Sequence, residues 1–162
     1  MIQIRPAREH DLLAVAEIYN VEVLEGVGTF DTEPKGPEHF ADRLRPDHPG
    51  DVFLVADDAG SVVGFAYSGP FRARPAYAGT RETSVYLASA ARGRGAGRAL
   101  YTELLTRLDA AGVHTQMAVI ALPNDASEAL HRALGFERVG VLRQVGRKFG
   151  RYVDTAWWQR LP

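Results

Sequence analysis

The chain of 162 residues contains no cysteine, which removes disulfides, thiolate nucleophiles and cysteine-based metal sites from consideration. Lysine is almost as scarce: Lys35 and Lys148 are the only two, so nearly all positive charge is carried by arginine. Neither sign of charge dominates, with 19 Lys and Arg against 20 Asp and Glu and a net charge of -1. Without a global field to recruit nucleic acid or an anionic membrane, each arginine cluster has to be judged by itself. No apolar run approaches the ~20 residues needed to cross a bilayer. Met1-Ile2-Gln3-Ile4-Arg5 reads as a strand with no basic and apolar leader, so a soluble, cytoplasmic protein is expected. Internal repeats, low-complexity tracts and linkers are also missing. Since domains usually run to about 100–150 residues, one domain over 1–162 with a sizeable core is expected.

Apolar spacing supplies the elements. Ile2 to Arg5 reads as a strand, and Glu9 to Asn20 as a helix with Leu12, Val15, Ala16 and Tyr19 on one face. Pro34, Gly36 and Pro37 break the pattern, and Glu38 to Arg45 suggests a short second helix stopped by Pro46. Val52 to Ala56 and Val62 to Tyr67, joined by Asp57-Asp58-Ala59-Gly60, form a hairpin signal. Thr80 to Leu87 is a further strand, and the helix from Arg98 to Ala111 carries Leu100, Leu104 and Leu108 on one face. Thr115 to Ala121 reads as a buried strand, Asp125 to Leu134 as a helix, and Val139 to Val145 with Tyr152 to Trp158 as a closing strand pair. The order β, α, α, β, β, β, α, β, α, β, β gives an α/β (α+β) domain with a mixed, mostly antiparallel central sheet flanked by helices.

Between the strand ending at Leu87 and the next helix lies Arg92-Gly93-Arg94-Gly95-Ala96-Gly97-Arg98. Glycines there clear side chains from the turn, so successive backbone N–H groups can point at one anion with the positive helix end behind them, and Arg94 and Arg98 add charged donors. A plain structural turn is the competing reading. A Walker loop would end in Gly-Lys-Ser/Thr, but the sequence is Gly97-Arg98-Ala99. A dinucleotide fingerprint would need an acid ending the next strand, which instead runs into Leu122-Pro123-Asn124.

The Arg-x-x-Gly-x-Gly pattern resembles the acyl-CoA pyrophosphate loop of the GNAT acetyltransferase superfamily. Further segments resemble its phosphinothricin and methionine sulfoximine/sulfone N-acetyltransferase subfamily: Ile18-Tyr19-Asn20, Gly28-Thr29-Phe30, Gly64-Phe65-Ala66-Tyr67, Phe71-Arg72-Ala73-Arg74-Pro75-Ala76-Tyr77, Glu82-Thr83-Ser84-Val85-Tyr86, Pro123-Asn124-Asp125-Ala126-Ser127, Leu130-His131, Gly135-Phe136 and Trp158-Gln159. The resemblance covers nearly the whole chain. It implies the GNAT acyl-CoA N-acyltransferase fold, acetyl-CoA as donor, an amino acid analogue as acceptor, direct transfer with no metal and no acyl-enzyme, and a homodimer. Arg81 and the segment Lys148-Phe149-Gly150-Arg151 depart from the family pattern, which leaves the exact acceptor open.

On that resemblance, Glu82 is the expected general base, being the sole carboxylate between Asp58 and Glu103; the competing reading pairs it with Arg81 or Arg72. The backbone of Val85, Tyr86 and Leu87 would bind pantetheine and hold the thioester oxygen, whether or not their side chains fill the core. Gly93, Arg94, Gly95, Ala96, Gly97 and Arg98 would hold the diphosphate, and Asn124 would reach the cofactor unless it caps the next helix. His131 stands where many relatives carry a tyrosine that protonates the departing thiolate; a packed helix histidine is the alternative. Phe30, Arg72, Arg74, Tyr77 and Thr80 are the acceptor candidates, because guanidinium forks match carboxylate and phosphinate while aromatic walls cover an amino acid's aliphatic body. For Trp157 and Trp158 on the last strand core packing is expected, the competing use being an indole face that lines a pocket or a subunit contact. The same fold could serve a polyamine, an aminoglycoside or a protein N-terminus, or an acyl-CoA sensor without turnover.

Overall fold

Strand β2 (Phe53–Asp58) begins with four consecutive apolar residues, Phe53-Leu54-Val55-Ala56, and all four are buried. Side chains alternate across a strand, so such a run requires cover on both faces of the sheet. The computed structural model, which describes residues 1–162, shows how that cover is arranged. Leu54 and Ala56 join one apolar cluster with Leu100, Leu104, Leu108, Ile120, Phe136 and Trp158. Phe53 and Val55 join another on the opposite face with Val15, Tyr19, Val23, Phe40 and Phe65.

The other strands are β1 (Ile2–Pro6), β3 (Ser61–Pro70), β4 (Thr80–Leu87), β5 (Thr115–Ala121), β6 (Glu137–Lys148) and β7 (Arg151–Arg160), and the sheet order is β1-β2-β3-β4-β5-β7-β6. Helix α1 (Leu12–Glu25) covers the face carrying Phe65, while α2 (Ala96–Ala110) covers the other, with α3 (Asp125–Ala133) beside it. Neighbouring strands are antiparallel except β4 and β5, which α2 connects as a crossover.

Several elements run longer than their sequence pattern. Helix α1 continues to Glu25, adding Val23 to its buried face. The segment expected as a short helix is a 3-10 run over Pro37–Leu44 that seats Phe40 in the core. The last two strands extend beyond the expected Val139–Val145 and Tyr152–Trp158 because each supplies pairing for the other out to Lys148 and Arg151. Those end residues are polar and give no apolar alternation to read.

Candidate active site

Pairing between β4 and β5 stops after three residue pairs, Thr80 with Thr115, Arg81 with Gln116 and Glu82 with Met117. Past Glu82 the strands diverge, and that edge of β4 has no neighbouring strand. A cleft of about 400 Å³ fills the wedge. Thr83 to Leu87 line one side and Ala118 to Ala121 the other; Asn124, Ser127, Leu130 and His131 lie at the α3 end, while Glu22 and Gly28 reach it from the α1 side. The opening therefore passes through the sheet. Unpaired main-chain donors and acceptors along β4 suit an extended ligand that carries its own amides, bound as an added strand.

Gly93, Gly95, Gly97 and Arg98 line the same cleft, as the sequence reading expects, together with Arg92, which that reading did not select. Gly93 (φ +73°) and Gly95 (φ +84°) adopt left-handed backbone that a side chain disfavours. They turn the chain into α2 at Ala96, whose first amides lack helical acceptors, the condition an anion site needs. Ala96 is buried beneath that turn. Arg94 instead extends to Asp58 at 3.3 Å, and Arg92 contacts Glu22 at 2.9 Å. Both are exposed pairs, which contribute little and leave the guanidinium groups free to exchange partners.

Glu82 shares a face of β4 with Ser84 and Tyr86, and Tyr86 packs against Tyr19 and Phe65 on the α1 side. Pairing of Glu82 with Arg81 is corrected here: Arg81 points to the opposite face, buried, with its Nε 3.1 Å from Asp51. Glu82 makes no ion pair and is half-buried. Burial raises its pKa, partly offset by the positive field of Arg72. Arg72 lies over the rings of Phe71, at 4.5 Å, and Trp157, at 5.9 Å, and Tyr77 packs edge-on against Phe71. Of the paired tryptophans only Trp158 is buried in the core; Trp157 is half-buried and belongs to this aromatic cluster.

The remaining acceptor candidates are dispersed. Arg74 is exposed just before the Pro75–Tyr77 turn, and Thr80 sits in the paired foot of β4. Phe30 is exposed, packs against Gly146 of β6 and is not among the residues lining the cleft.

His131 is buried, and both ring nitrogens are engaged: Nδ1 lies 2.7 Å from the Ser127 carbonyl and Nε2 2.9 Å from the Tyr101 hydroxyl. A carbonyl only accepts, so Nδ1 carries the proton and Nε2 accepts from Tyr101. Tyr101 in turn lies 2.6 Å from the Thr83 hydroxyl, and Thr83 can donate to the Met117 carbonyl at 3.1 Å. Burial lowers the His131 pKa, and its bond to Ser127 opposes the shift. Tyr101 was not visible in the sequence, where it reads as one more apolar residue of the α2 stripe. Asn124 does cap α3, its side-chain oxygen accepting from the Ser127 amide at 3.1 Å, and it also lines the cleft. Glu128 faces Arg138. No group of three or more His, Asp or Glu side chains converges as a metal site would require.

A mixed sheet splayed along a half-unpaired strand, with a left-handed glycine loop feeding the next helix, defines an acyl-CoA-dependent N-acyltransferase. The model of the acetyltransferase (GNAT) domain matches residues 4–157, and the chain belongs to that family as an acetyl-CoA-dependent N-acetyltransferase. It is 48% identical to a phosphinothricin N-acetyltransferase of Streptomyces coelicolor, over 98% of this chain and 95% of that one. It is 38% identical to an L-methionine sulfoximine/L-methionine sulfone acetyltransferase of Pseudomonas aeruginosa, over 96% and 92%. A crystal structure of a GNAT superfamily phosphinothricin acetyltransferase from Sinorhizobium meliloti, in complex with acetyl-CoA, superposes with a TM-score of 0.93 at 42% identity, over 99% of this chain and 88% of that one.

Proposed function

We propose that this enzyme transfers the acetyl group of acetyl-CoA to the α-amino group of a small amino acid analogue with a polar tetrahedral tail, of the phosphinothricin, methionine sulfoximine or methionine sulfone type. The observation that carries this reading is Glu82, half-buried and unpaired, beside Arg72 held on the rings of Phe71 and Trp157. Arg72, with Arg74 nearby, favours an anionic acceptor and repels a polyamine or aminoglycoside.

An amine at neutral pH is mostly ammonium, with a pKa near ~10 for a lysine-like group, and cannot attack until it loses a proton. Glu82, made more basic by burial, takes that proton directly or through water. Main-chain N–H groups near Val85 hold the thioester oxygen as it gains charge, and the residue 93–98 loop holds the diphosphate. Juxtaposing amine and thioester removes a large entropic part of the barrier.

His131 handles a proton on the thiol side. If Nε2 is protonated it donates to Tyr101, Tyr101 donates to Thr83, and Thr83 donates to the Met117 carbonyl. The chain of bonds can run in either direction, so a proton on His131 is accommodated at the wall of the cleft that takes the cofactor. The exposed Val139, Leu142, Val145, Phe149 and Tyr152 on the β6–β7 hairpin support a homodimer, and the enzyme works in the cytoplasm.

Steady-state kinetics on phosphinothricin, methionine sulfoximine and methionine sulfone, beside methionine, glutamate and a polyamine, test the reading. Saturable turnover of the first group is expected. Comparably slow rates on every amine, or preference for the polyamine, would replace it.

A further inference from the structure

The divergence past Glu82 splits the sheet into two parts, β1-β2-β3-β4 and β5-β7-β6, joined by only three residue pairs. On the α1 face another connection crosses the gap. The Lys148 ammonium, at the end of β6, donates to the carbonyls of Glu22 (2.8 Å) and Thr29 (2.9 Å). Lys148 is 4% exposed. Burial lowers its pKa, while the Glu22 and Asp31 carboxylates favour its charge. Its position explains why a charge is tolerated there: Glu22 belongs to the last turn of α1, where the helix dipole favours a cation, and its carbonyl, which also accepts from the Gly26 N–H at 3.2 Å, has a second lone pair for the ammonium.

Two residues earlier, on the same face of β6, Gly146 receives Phe30. A Cβ at Gly146 would fall within the contact envelope of the Phe30 ring, so glycine is what lets the loop and the strand close together. The segment 26–36 is otherwise fastened from α1 and β4, on the other side of the gap. Tyr19 donates to Asp31 (2.7 Å), Asn20 bonds both the N–H and the carbonyl of Lys35 (2.8 Å each), and Tyr86 reaches the Gly28 carbonyl (3.4 Å). Lys148 and Gly146 provide its attachment to the other half.

From this we infer that Lys148 is a positioning residue that clamps segment 26–36 to the β6–β7 hairpin across the splayed strands, with Gly146 and Phe30 as the apolar half of the same clamp. The clamp fixes the wall facing Glu82 and thereby sets how tightly the acceptor is held. This rests on the proposed reading that the acceptor binds on the α1 face beside Glu82.

Hydrogen exchange and steady-state kinetics of Lys148→Met, Lys148→Arg and Gly146→Ala test it. In Lys148→Met, amides of 26–36 should exchange about ten-fold faster while those of β2 and β3 stay unchanged. Acceptor KM should rise about ten-fold with kcat and acetyl-CoA affinity within about three-fold, the pattern of lost ground-state positioning. Lys148→Arg, which keeps a cationic donor, should restore most of both, and Gly146→Ala should loosen the same segment by displacing Phe30. Unchanged exchange over 26–36 in soluble Lys148→Met and Gly146→Ala would overturn the clamp, whatever the acceptor proves to be. A loosened segment with unaltered acceptor KM would overturn its positioning role. If the wild type turns over none of the amines tried, the substrate reading fails, and the exchange data still decide the clamp.

Discussion

Glu82 was legible in the sequence because a long stretch around it holds no other carboxylate, and the strand period then places it on the same face as Tyr86. Its freedom from Arg81 was not legible: that depends on Asp51, distant in sequence, drawing Arg81 to the opposite face. His131 shows the same division. Its position was readable, but the hydrogen bonds that define its tautomer come from the Ser127 carbonyl and from Tyr101, which no motif marks. The lowered His131 pKa makes a prediction at this scale. The unfolded chain takes up that proton more readily than the folded protein, so stability is full above the ordinary imidazole value near ~6.5 and declines as pH falls below it toward the folded value. Urea midpoints measured across that range should show the decline, and His131→Gln should flatten it. An unchanged slope in the variant would remove His131 as its source.

Among the elements, strands with apolar runs were easiest to read: Thr80–Leu87 and Thr115–Ala121 lie where the pattern puts them. Residues past Asn20 in α1 and the outer parts of β6 and β7 were missed, because their exposed polar or mixed positions carry no period and are held by tertiary contacts. The glycine loop was legible because left-handed backbone needs glycine, and Gly93 and Gly95 both use it. Alanine at either position should cost about 1–2 kcal/mol locally or force the turn to rearrange. Calorimetric titration of Gly93→Ala or Gly95→Ala with acetyl-CoA should therefore show about ten-fold weaker binding, with little change in acceptor KM. Binding equal to wild type would mean the loop does not hold the diphosphate.

For the molecule as a whole, the sheet's composition followed from the residue pattern, whereas its wedge was implied only by the family resemblance, which has the strand splay at Val85, Tyr86 and Leu87. Where β4 and β5 cease to pair is a matter of register and twist across the crossover, and both strands continue with ordinary apolar residues beyond that point. A ligand that fills the wedge and bonds the bare edge of β4 should stabilise the fold. At about 100 times its Kd, acetyl-CoA should add about 2.7 kcal/mol, raising the melting temperature by about 5–10 °C for a chain of this size. Thermal scans with and without acetyl-CoA measure this directly, and no rise at saturation would mean that the wedge is not its site.

The most direct test of the whole account is kcat against pH, at saturating acetyl-CoA and acceptor, for the wild type and Glu82→Gln. If Glu82 takes the amine's proton, the wild type falls on an acidic limb centred above the ordinary carboxylate range, since burial raises that pKa. In the variant that limb disappears and the rate at neutral pH drops by about 100-fold or more. The same limb at the same pH in both proteins, with similar rates, would contradict the account.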